Sequence, residues 1–209
     1  MRVAAALLLA LAAATAATAA RAESLTILAS TPAGVPIADL IAVLDPLDGQ
    51  APAAAAHPSA LIDQIHKQFV PQVSVIRTGT AVRFPNSDRI RHQVYSFSPP
   101  RVFNLKLYAG TEAPPVVFDH AGLVVLGCNI HDSMAAFVAV VDTPYFGRTD
   151  AAGRLRLDAP AGHYRLRLWH PGLAQPIAPR PVTLAAEPRT IDVRAEPAAD
   201  PALVTEWTD

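Results

Sequence analysis

The chain has 209 residues, of which 51% are hydrophobic and 17% are charged, and its formal net charge is −1 at pH 7. A single Cys cannot form a disulfide within the chain, so a disulfide-stapled scaffold is excluded. The small net charge and the lack of any run of Lys and Arg remove the attraction on which non-specific nucleic-acid binding depends. We therefore expect no nucleic-acid partner.

The first 22 residues have the pattern of an export signal. Met1 and Arg2 supply a positive charge, residues 3–20 are rich in Ala and Leu, and Ala20-Arg21-Ala22 has the small-x-small pattern of a signal-peptidase site. We predict a signal peptide over 1–22, which leaves an exported, soluble protein without a membrane span. The alternative is an uncleaved anchor, because this apolar stretch is barely long enough to cross a bilayer.

Short strands separated by turn signals dominate the next part of the chain. Two strands are predicted within 25–44, about a turn at Gly34, and a Pro- and Ala-rich linker is predicted over 51–62. Between residues 63 and 143 the alternation of strands and turns is typical of an all-β sandwich or barrel. No apolar period of about 3.6 residues persists after the signal, so we expect few helices.

A second group of strands is predicted after residue 143. Arg154–Leu157 and Arg165–Trp169 alternate charged and apolar residues, and we predict that they form a β-hairpin through Pro160-Ala161-Gly162. Strands at 182–184 and 190–193 would complete a small sheet. The Ala-, Pro- and acid-rich segment 196–209 is predicted to be a disordered tail.

Candidate metal ligands are concentrated in a short segment, Gly-Cys-Asn-Ile-His-Asp-Ser-Met, at 127–134. Cys128, His131 and Met134 recur at intervals of three between two predicted strands, so one loop can place three side chains around a point. His92 begins a strand that could lie beside the Cys128 strand and offer a second imidazole. Two His, one Cys and a weak axial Met are the ligand set of a blue-copper site, whereas zinc rarely accepts a thioether.

Each of these residues also has a plainer interpretation. Cys128 could be an inert buried thiol, and Met134 could be core packing. His120, which lies just upstream of the Cys128 strand, is more often a turn residue but competes with His92 as the second imidazole. The charged residues before His92, Asp88 among them, are interpreted as a solvated loop.

The segment from Phe69 to Val141 resembles a cupredoxin. Its R-H-Q-V strand and its C-N-I-H-D-S-M loop are similar to the ligand strand and ligand loop of amicyanin- and plastocyanin-type proteins, including periplasmic methylamine utilisation proteins. The resemblance implies a Greek-key β-sandwich over 63–143. It also implies one type 1 copper, bound by His92, Cys128, His131 and Met134.

By the same resemblance the protein is expected to be a periplasmic electron carrier and not an enzyme. Its partner would be a redox protein such as a c-type cytochrome or an amine dehydrogenase. No catalytic motif such as G-x-S-x-G or H-E-x-x-H occurs in the sequence. The alternative function is a non-catalytic copper-binding or interaction module that stores copper or docks a partner.

The ligand loop departs from its relatives in ways that bear on docking. Asp132 and Ser133 stand where amicyanin-type loops carry a Pro and an apolar residue, and Gln93 stands where better-known members have Asn. We expect His131, in mid-loop, to have the imidazole edge nearest solvent. Asp132 beside it would then favour a partner with a basic face, unless its carboxylate only caps the loop.

The flanks have a second resemblance, to a carboxypeptidase regulatory-like β-sandwich. The segments that carry it are G-V-P-I-A-D-L-I-A-V-L near the start and T-D-A-A-G-R-L-R-L and P-A-G-H-Y-R-L-R-L near the end. The resemblance implies that 23–50 and 144–195 together form an accessory sandwich into which the cupredoxin domain is inserted. The predicted fold class is therefore all-β, with a cupredoxin Greek-key β-sandwich and a small accessory β-sandwich.

Overall fold

Every regular element in the described part of the chain is a β-strand. The computed structural model describes residues 22–49, 51, 58–110 and 113–198. Its strands, in chain order, are β1 (Ala22–Ser30), β2 (Ile41–Pro46), β3 (Ser59–Leu61), β4 (Asp63–Ile65), β5 (Gln68–Val70), β6 (Val73–Arg77), β7 (Thr80–Arg83), β8 (His92–Ser96), β9 (Phe103–Tyr108), β10 (Val116–Phe118), β11 (Gly122–Gly127), β12 (Ala135–Val141), β13 (Phe146–Arg148), β14 (Arg154–Pro160), β15 (Gly162–Trp169), β16 (Ile177–Leu184) and β17 (Arg189–Arg194). The all-β prediction is confirmed, and no helix occurs in these ranges.

The strands from β3 to β12 form two sheets around one apolar core, with β4 and β5 as a separate hairpin. One sheet has the order β10-β7-β3 and the other has the order β6-β12-β11-β8-β9. Buried and open residues alternate along β10 and in the second half of β11, so one face of each strand points inward. The centre of the core is aromatic and aliphatic, with Phe69, Phe84, Phe118, Val124 and Leu126 fully buried. This sandwich carries the candidate metal ligands.

The two flanks of the chain form the second sandwich together. β1 pairs with β14 in antiparallel and with β17 in parallel orientation, while β2 lies between β13 and β15 in a sheet of order β13-β2-β15-β16. Both sheets bury apolar side chains in a common core that includes Leu25, Ile27, Leu44 and Leu166. This arrangement agrees with the predicted accessory β-sandwich, and the residue boundaries of the two domains stay a prediction.

The hairpin predicted from Arg154–Leu157 and Arg165–Trp169 is wrong. β14 pairs with β1, and β15 pairs with β2 and β16, so the two strands lie in opposite sheets. The chain turns the corner between the sheets at Pro160, whose carbonyl oxygen accepts a 2.8 Å hydrogen bond from the Tyr164 hydroxyl. The alternation of residues along a strand shows which side chains face the core. It does not show which of the two sheets the strand joins, because both sheets of a sandwich face the same core. The pairing with β1 and β2 decides which sheet each strand joins.

A third apolar cluster joins the two sandwiches. Val73 on β6 and Phe137 on β12 pack with Ile41 on β2 and Trp169 on β15. The ring centroids of Phe137 and Trp169 are 5.7 Å apart. Because β12 is the strand that leaves the segment 128–134, the second sandwich supports the strand on one side of the candidate site.

The predicted linker over 51–62 is too long at its C-terminal end. Ser59–Leu61 form β3 and pair in parallel with β7, because Ala60 packs on the core of the first sandwich. Ile62, which follows β3, is also buried. The linker residues 52–57 lie outside the described residues.

The predicted disordered tail begins too early. Residues 196–198 exchange backbone hydrogen bonds with the loop 172–174, because the buried Leu173 holds that loop on the core of the second sandwich. The tail from 199 onward and residues 1–21 of the signal peptide predicted over 1–22 lie outside the described residues, and Ala22 is the first residue of β1. Among the residues that are described, no helix is long and apolar enough to cross a membrane.

Candidate metal centre

Two neighbouring strands bring the upstream His to the Cys. His92 is the first residue of β8, and Cys128 directly follows β11. β8 and β11 are antiparallel, with Gly127 opposite Tyr95. The start of one strand therefore lies beside the end of the other. A Cβ at Gly127 would lie 2.7 Å from the Tyr95 ring, so a side chain at this position would require the outer end of Tyr95 to move.

The spacing of three in the ligand loop has a structural cause. The His131 N–H donates to the Cys128 carbonyl oxygen at 3.4 Å, and the Met134 N–H donates to the His131 carbonyl oxygen at 2.9 Å. Cys128, His131 and Met134 are therefore the end residues of two successive tight turns. The two residues between each pair of ligands form the centre of a turn. The loop enters β12 immediately afterwards, at Ala135.

Three donor atoms converge at this point. The Cys128 Sγ lies 3.9 Å from His92 Nδ1 and 3.9 Å from His131 Nδ1, and all three atoms lie within 4.8 Å of one another. Cys128 and His92 are buried, whereas His131 is partly exposed. His131 is thus the member of the cluster that reaches solvent, as its position in mid-loop predicts.

The spacing of the donors fits a bound metal ion. Bonds of about 2.3 Å to sulfur and about 2.0 Å to imidazole nitrogen span a distance of 3.9 Å when the angle between them is about 130°. A soft sulfur donor with two imidazoles in an open, trigonal arrangement is a donor set that copper accepts. The His–Cys–His cluster therefore fits a copper site.

Met134, the last candidate ligand of the loop, is buried. Its side chain is 1% exposed and belongs to the core of the first sandwich, as does Cys128. Both residues also line an open cavity of about 650 Å³. Met134 is therefore buried in the same core as Cys128, and its ligation of the metal stays a prediction.

The interpretation of Asp88 as part of a solvated loop is wrong. The Asp88 Oδ2 lies 2.7 Å from His92 Nε2, on the side of the ring opposite the cluster, and the carboxylate is 13% exposed. Burial by itself raises the pKa of Asp88. The N–H of Lys67, the His92 ring and the N–H of His66 outweigh this effect and leave the pKa below its ordinary value. Only the spacing of four residues before His92 could have indicated this contact from the sequence.

A second residue that the sequence analysis missed holds the loop before His92. The Asn86 side chain is buried, and its Nδ2 donates to the carbonyl oxygens of Ile90, at 3.0 Å, and Tyr108, at 2.8 Å. Its Oδ1 accepts the Asp88 N–H at 3.0 Å. These three bonds fix the loop that presents Asp88 and His92.

The other residues considered from the sequence lie away from the cluster. The His120 side chain is 73% exposed and pairs with Asp119, so it is not the second imidazole. Gln93 points away from the ligand loop and donates to Asn104 Oδ1 at 2.6 Å. Asp132 is exposed beside His131, and within the described ranges no residue donates a hydrogen bond to its carboxylate.

Comparisons with known proteins return only structural likenesses. No protein-family model and no curated protein sequence matches the chain. A copper-containing nitrite reductase from Thermus scotoductus is 24% identical over 47% of this chain and 25% of its own length, with a TM-score of 0.38. A purple cupredoxin from Nitrosopumilus maritimus is 23% identical over 39% of this chain and 98% of its own, with a TM-score of 0.35. A reduced variant of amicyanin is 19% identical over 47% of this chain and 97% of its own, with a TM-score of 0.37.

The three structures named here are thus a copper-containing nitrite reductase, a purple cupredoxin and an amicyanin. The chain spans about a quarter of the length of the nitrite reductase. All three TM-scores lie below 0.5, and the assignment of a copper site rests on the donor atoms themselves.

Proposed function

We propose that this protein is an exported electron carrier that binds one type 1 copper through His92, Cys128, His131 and Met134. The observation that carries the proposal is the convergence of the Cys128 Sγ with Nδ1 of both His92 and His131 at 3.9 Å. Two imidazoles, one thiolate and a long axial thioether form the ligand set of a blue-copper site. The signal pattern at 1–22 supports export to the periplasm.

The task of the chain is to keep the donor atoms in place. A copper ion at this point supplies one-electron chemistry without any need for a substrate pocket or an acid–base pair. His92 is fully buried on β8, and Cys128 is anchored at the end of β11. Two tight turns set the positions of His131 and Met134. Because these anchors are backbone pairings, the donors need little movement when the electron arrives or leaves.

The electron would cross at the partly exposed edge of His131. Ile130, which is 48% exposed, and the exposed Asp132 flank this edge in the loop. A partner would therefore meet an apolar contact with one negative charge beside it. We propose a redox protein with a basic docking face, such as a c-type cytochrome or an amine dehydrogenase.

Copper loading tests the metal site. The wild-type protein should become coloured through a thiolate-to-copper charge-transfer band and keep the colour after washing with a chelator. The His92→Ala variant should lose the band, whereas the matched variant His120→Ala should keep it, because the His120 side chain is 73% exposed. Met134→Leu should retain the band and change the reduction potential, since the axial bond is weak. Colourless wild-type protein contradicts the proposal.

Redox cycling separates a carrier from a copper store. A carrier should reduce and reoxidise repeatedly while the copper stays bound, and its rate should not depend on added chelator. A store should lose copper to the chelator in the reduced form. Loss of copper within a few cycles favours the alternative of a storage or interaction module.

The docking proposal is tested through salt dependence. The rate of electron transfer to a basic redox protein should fall with ionic strength, because screening acts within about 10 Å at 0.1 M salt. Asp132→Asn should weaken that dependence. If the variant and the wild type respond equally to salt, the charge at Asp132 does not take part in docking.

A further inference from the structure

We infer that Asp88 is a positioning residue that fixes the His92 ring and favours the oxidised over the reduced copper. The inference rests on the proposed function, because it concerns the same metal centre. It is carried by the 2.7 Å contact between Asp88 Oδ2 and His92 Nε2, on a ring whose Nδ1 faces the Cys128 sulfur.

The contact fixes which nitrogen of His92 faces the metal. The ring is fully buried, and the carboxylate accepts a hydrogen bond only from a protonated Nε2. A ring flipped by half a turn about Cβ–Cγ would put carbon Cε1 in the place of Nε2 and carbon Cδ2 in the place of Nδ1, so the contacts with Asp88 and with Cys128 would both be lost. Asp88 therefore selects the tautomer in which Nδ1 is free to bind copper.

Asp88 is itself held in place by the hairpin of β4 and β5, which precedes it in the chain. The N–H of His66 donates to Oδ1 at 2.7 Å, and the N–H of Lys67 donates to Oδ2 at 2.9 Å. His66 and Lys67 form the turn between β4 and β5, with φ of 53° and 59°. Two successive left-handed residues turn both N–H groups toward the carboxylate, so the turn is a cradle for Asp88. The carboxylate thus has its own support and does not depend on His92 for its position.

Two physical effects of this carboxylate act in the same direction. A hydrogen bond from Nε2–H to a carboxylate makes the opposite nitrogen a stronger donor to the metal. A fixed negative charge with little solvent access also stabilises the more positive oxidation state. Both effects strengthen binding of Cu(II) more than binding of Cu(I), and the reduction potential is lower as a result.

The exchange of Asp88 for Asn separates charge from shape. Asp88→Asn keeps an oxygen that can accept from Nε2–H but removes the charge, whereas Asp88→Ala removes the acceptor as well. Asp63→Asn is the matched control. The Asp63 carboxylate accepts the Ser87 hydroxyl at 2.7 Å and the Ser87 N–H at 3.2 Å, so it supports the same loop without a contact to His92.

Copper affinities and the midpoint potential are measured for the wild type and the three variants. Asp88→Asn should weaken Cu(II) binding about tenfold relative to Cu(I), which raises the potential by about 59 mV for one electron. Asp88→Ala should weaken Cu(II) binding by about 10- to 100-fold, the effect expected when the outer partner of a metal-bound His is lost. Asp63→Asn should leave the potential unchanged.

A second measurement uses the wild-type protein and does not depend on the folding of any variant. In ¹⁵N-labelled protein loaded with Cu(I), the His92 ring should show a protonated Nε2 whose hydrogen exchanges slowly with water. An unprotonated Nε2 overturns the inference.

The outcomes distinguish this inference from the proposed function. If the wild type shows no charge-transfer band after copper loading, the proposed function fails and the role of Asp88 fails with it. If the wild type is coloured and Asp88→Asn has the same potential and the same Cu(II) affinity, the inference alone is overturned. An equal rise in potential for Asp63→Asn also overturns it, because the effect would then come from any charge lost near the loop.

Discussion

Substitution of Asn86 should destabilise the protein, although Asn86 is not a candidate metal ligand. Its buried side chain makes three hydrogen bonds, with Ile90, Tyr108 and the N–H of Asp88, at distances from 2.8 to 3.0 Å. A net contribution of about 1 kcal/mol for each bond predicts that Asn86→Ala lowers the free energy of unfolding by about 3 kcal/mol. That is a large fraction of the roughly 5–15 kcal/mol by which domains are stable.

Urea unfolding of the metal-free protein, followed by circular dichroism, measures this loss. Gln93→Ala is the matched control, because the Gln93 amide makes an exposed hydrogen bond to Asn104, and its loss should cost at most about 0.5 kcal/mol. Asn86→Asp should be at least as damaging as Asn86→Ala, since it places carboxylate charge against two carbonyl oxygens.

Copper retention gives a second readout for Asn86. The Asn86→Ala variant should release copper faster than the wild type, because the loop that carries Asp88 and His92 is no longer fixed. The reasoning is refuted if Asn86→Ala unfolds within about 0.5 kcal/mol of the wild type, or if Gln93→Ala costs as much.

Three further predictions concern the support of the two sandwiches. Trp169→Ala should lower the free energy of unfolding by about 3–5 kcal/mol in urea, because Trp169 is buried at the junction of the sandwiches; a loss below about 1 kcal/mol contradicts a packed junction. Lys67→Gly should raise the free energy of unfolding by about 0.5–1 kcal/mol, since Lys67 has a φ of 59°, and a fall in thermal midpoint would count against it. Burial lowers the pKa of His170 from 6.5, with the charge of Asp39 opposing part of the effect. The unfolded chain then binds a proton at His170 more readily than the folded protein does. The free energy of unfolding therefore falls as the pH falls through about 6.5. The wild type should therefore be more stable relative to His170→Asn at about pH 8 than at about pH 5, and equal differences in urea midpoint at the two pH values would show that His170 does not contribute.

The strands could be predicted because each is a local pattern. In β10, buried Val116 and Phe118 alternate with the open Val117, and a period of two residues indicates a strand with one inward face. The pairing of strands is not local. β14 and β15 follow each other closely in the chain but join opposite sheets, and the partners that separate them, β1 and β2, lie more than 100 residues earlier.

The candidate site likewise combines local features, which the sequence predicts, with contacts between distant residues, which it does not. The interval of three between Cys128, His131 and Met134 corresponds to two successive tight turns, which are local structures. His92 could be proposed because it opens a strand, and the structure brings its Nδ1 to the Cys128 sulfur. From the sequence, Asp88 is interpreted as part of a solvated loop, because its spacing of four residues before His92 is the only signal and does not show which charged residue of the segment is turned inward.

By itself the sequence determined the all-β class, the loop that carries the cysteine and the type of donor atoms available to a metal. These are properties of composition, of period and of spacing along a short segment. Only the tertiary structure decided which histidine joins Cys128, which carboxylate lies behind that histidine and which sheet each strand enters. Such contacts join residues that are distant in the chain, and each one forms because burial and hydrogen bonding over the whole sandwich favour that arrangement over its alternatives.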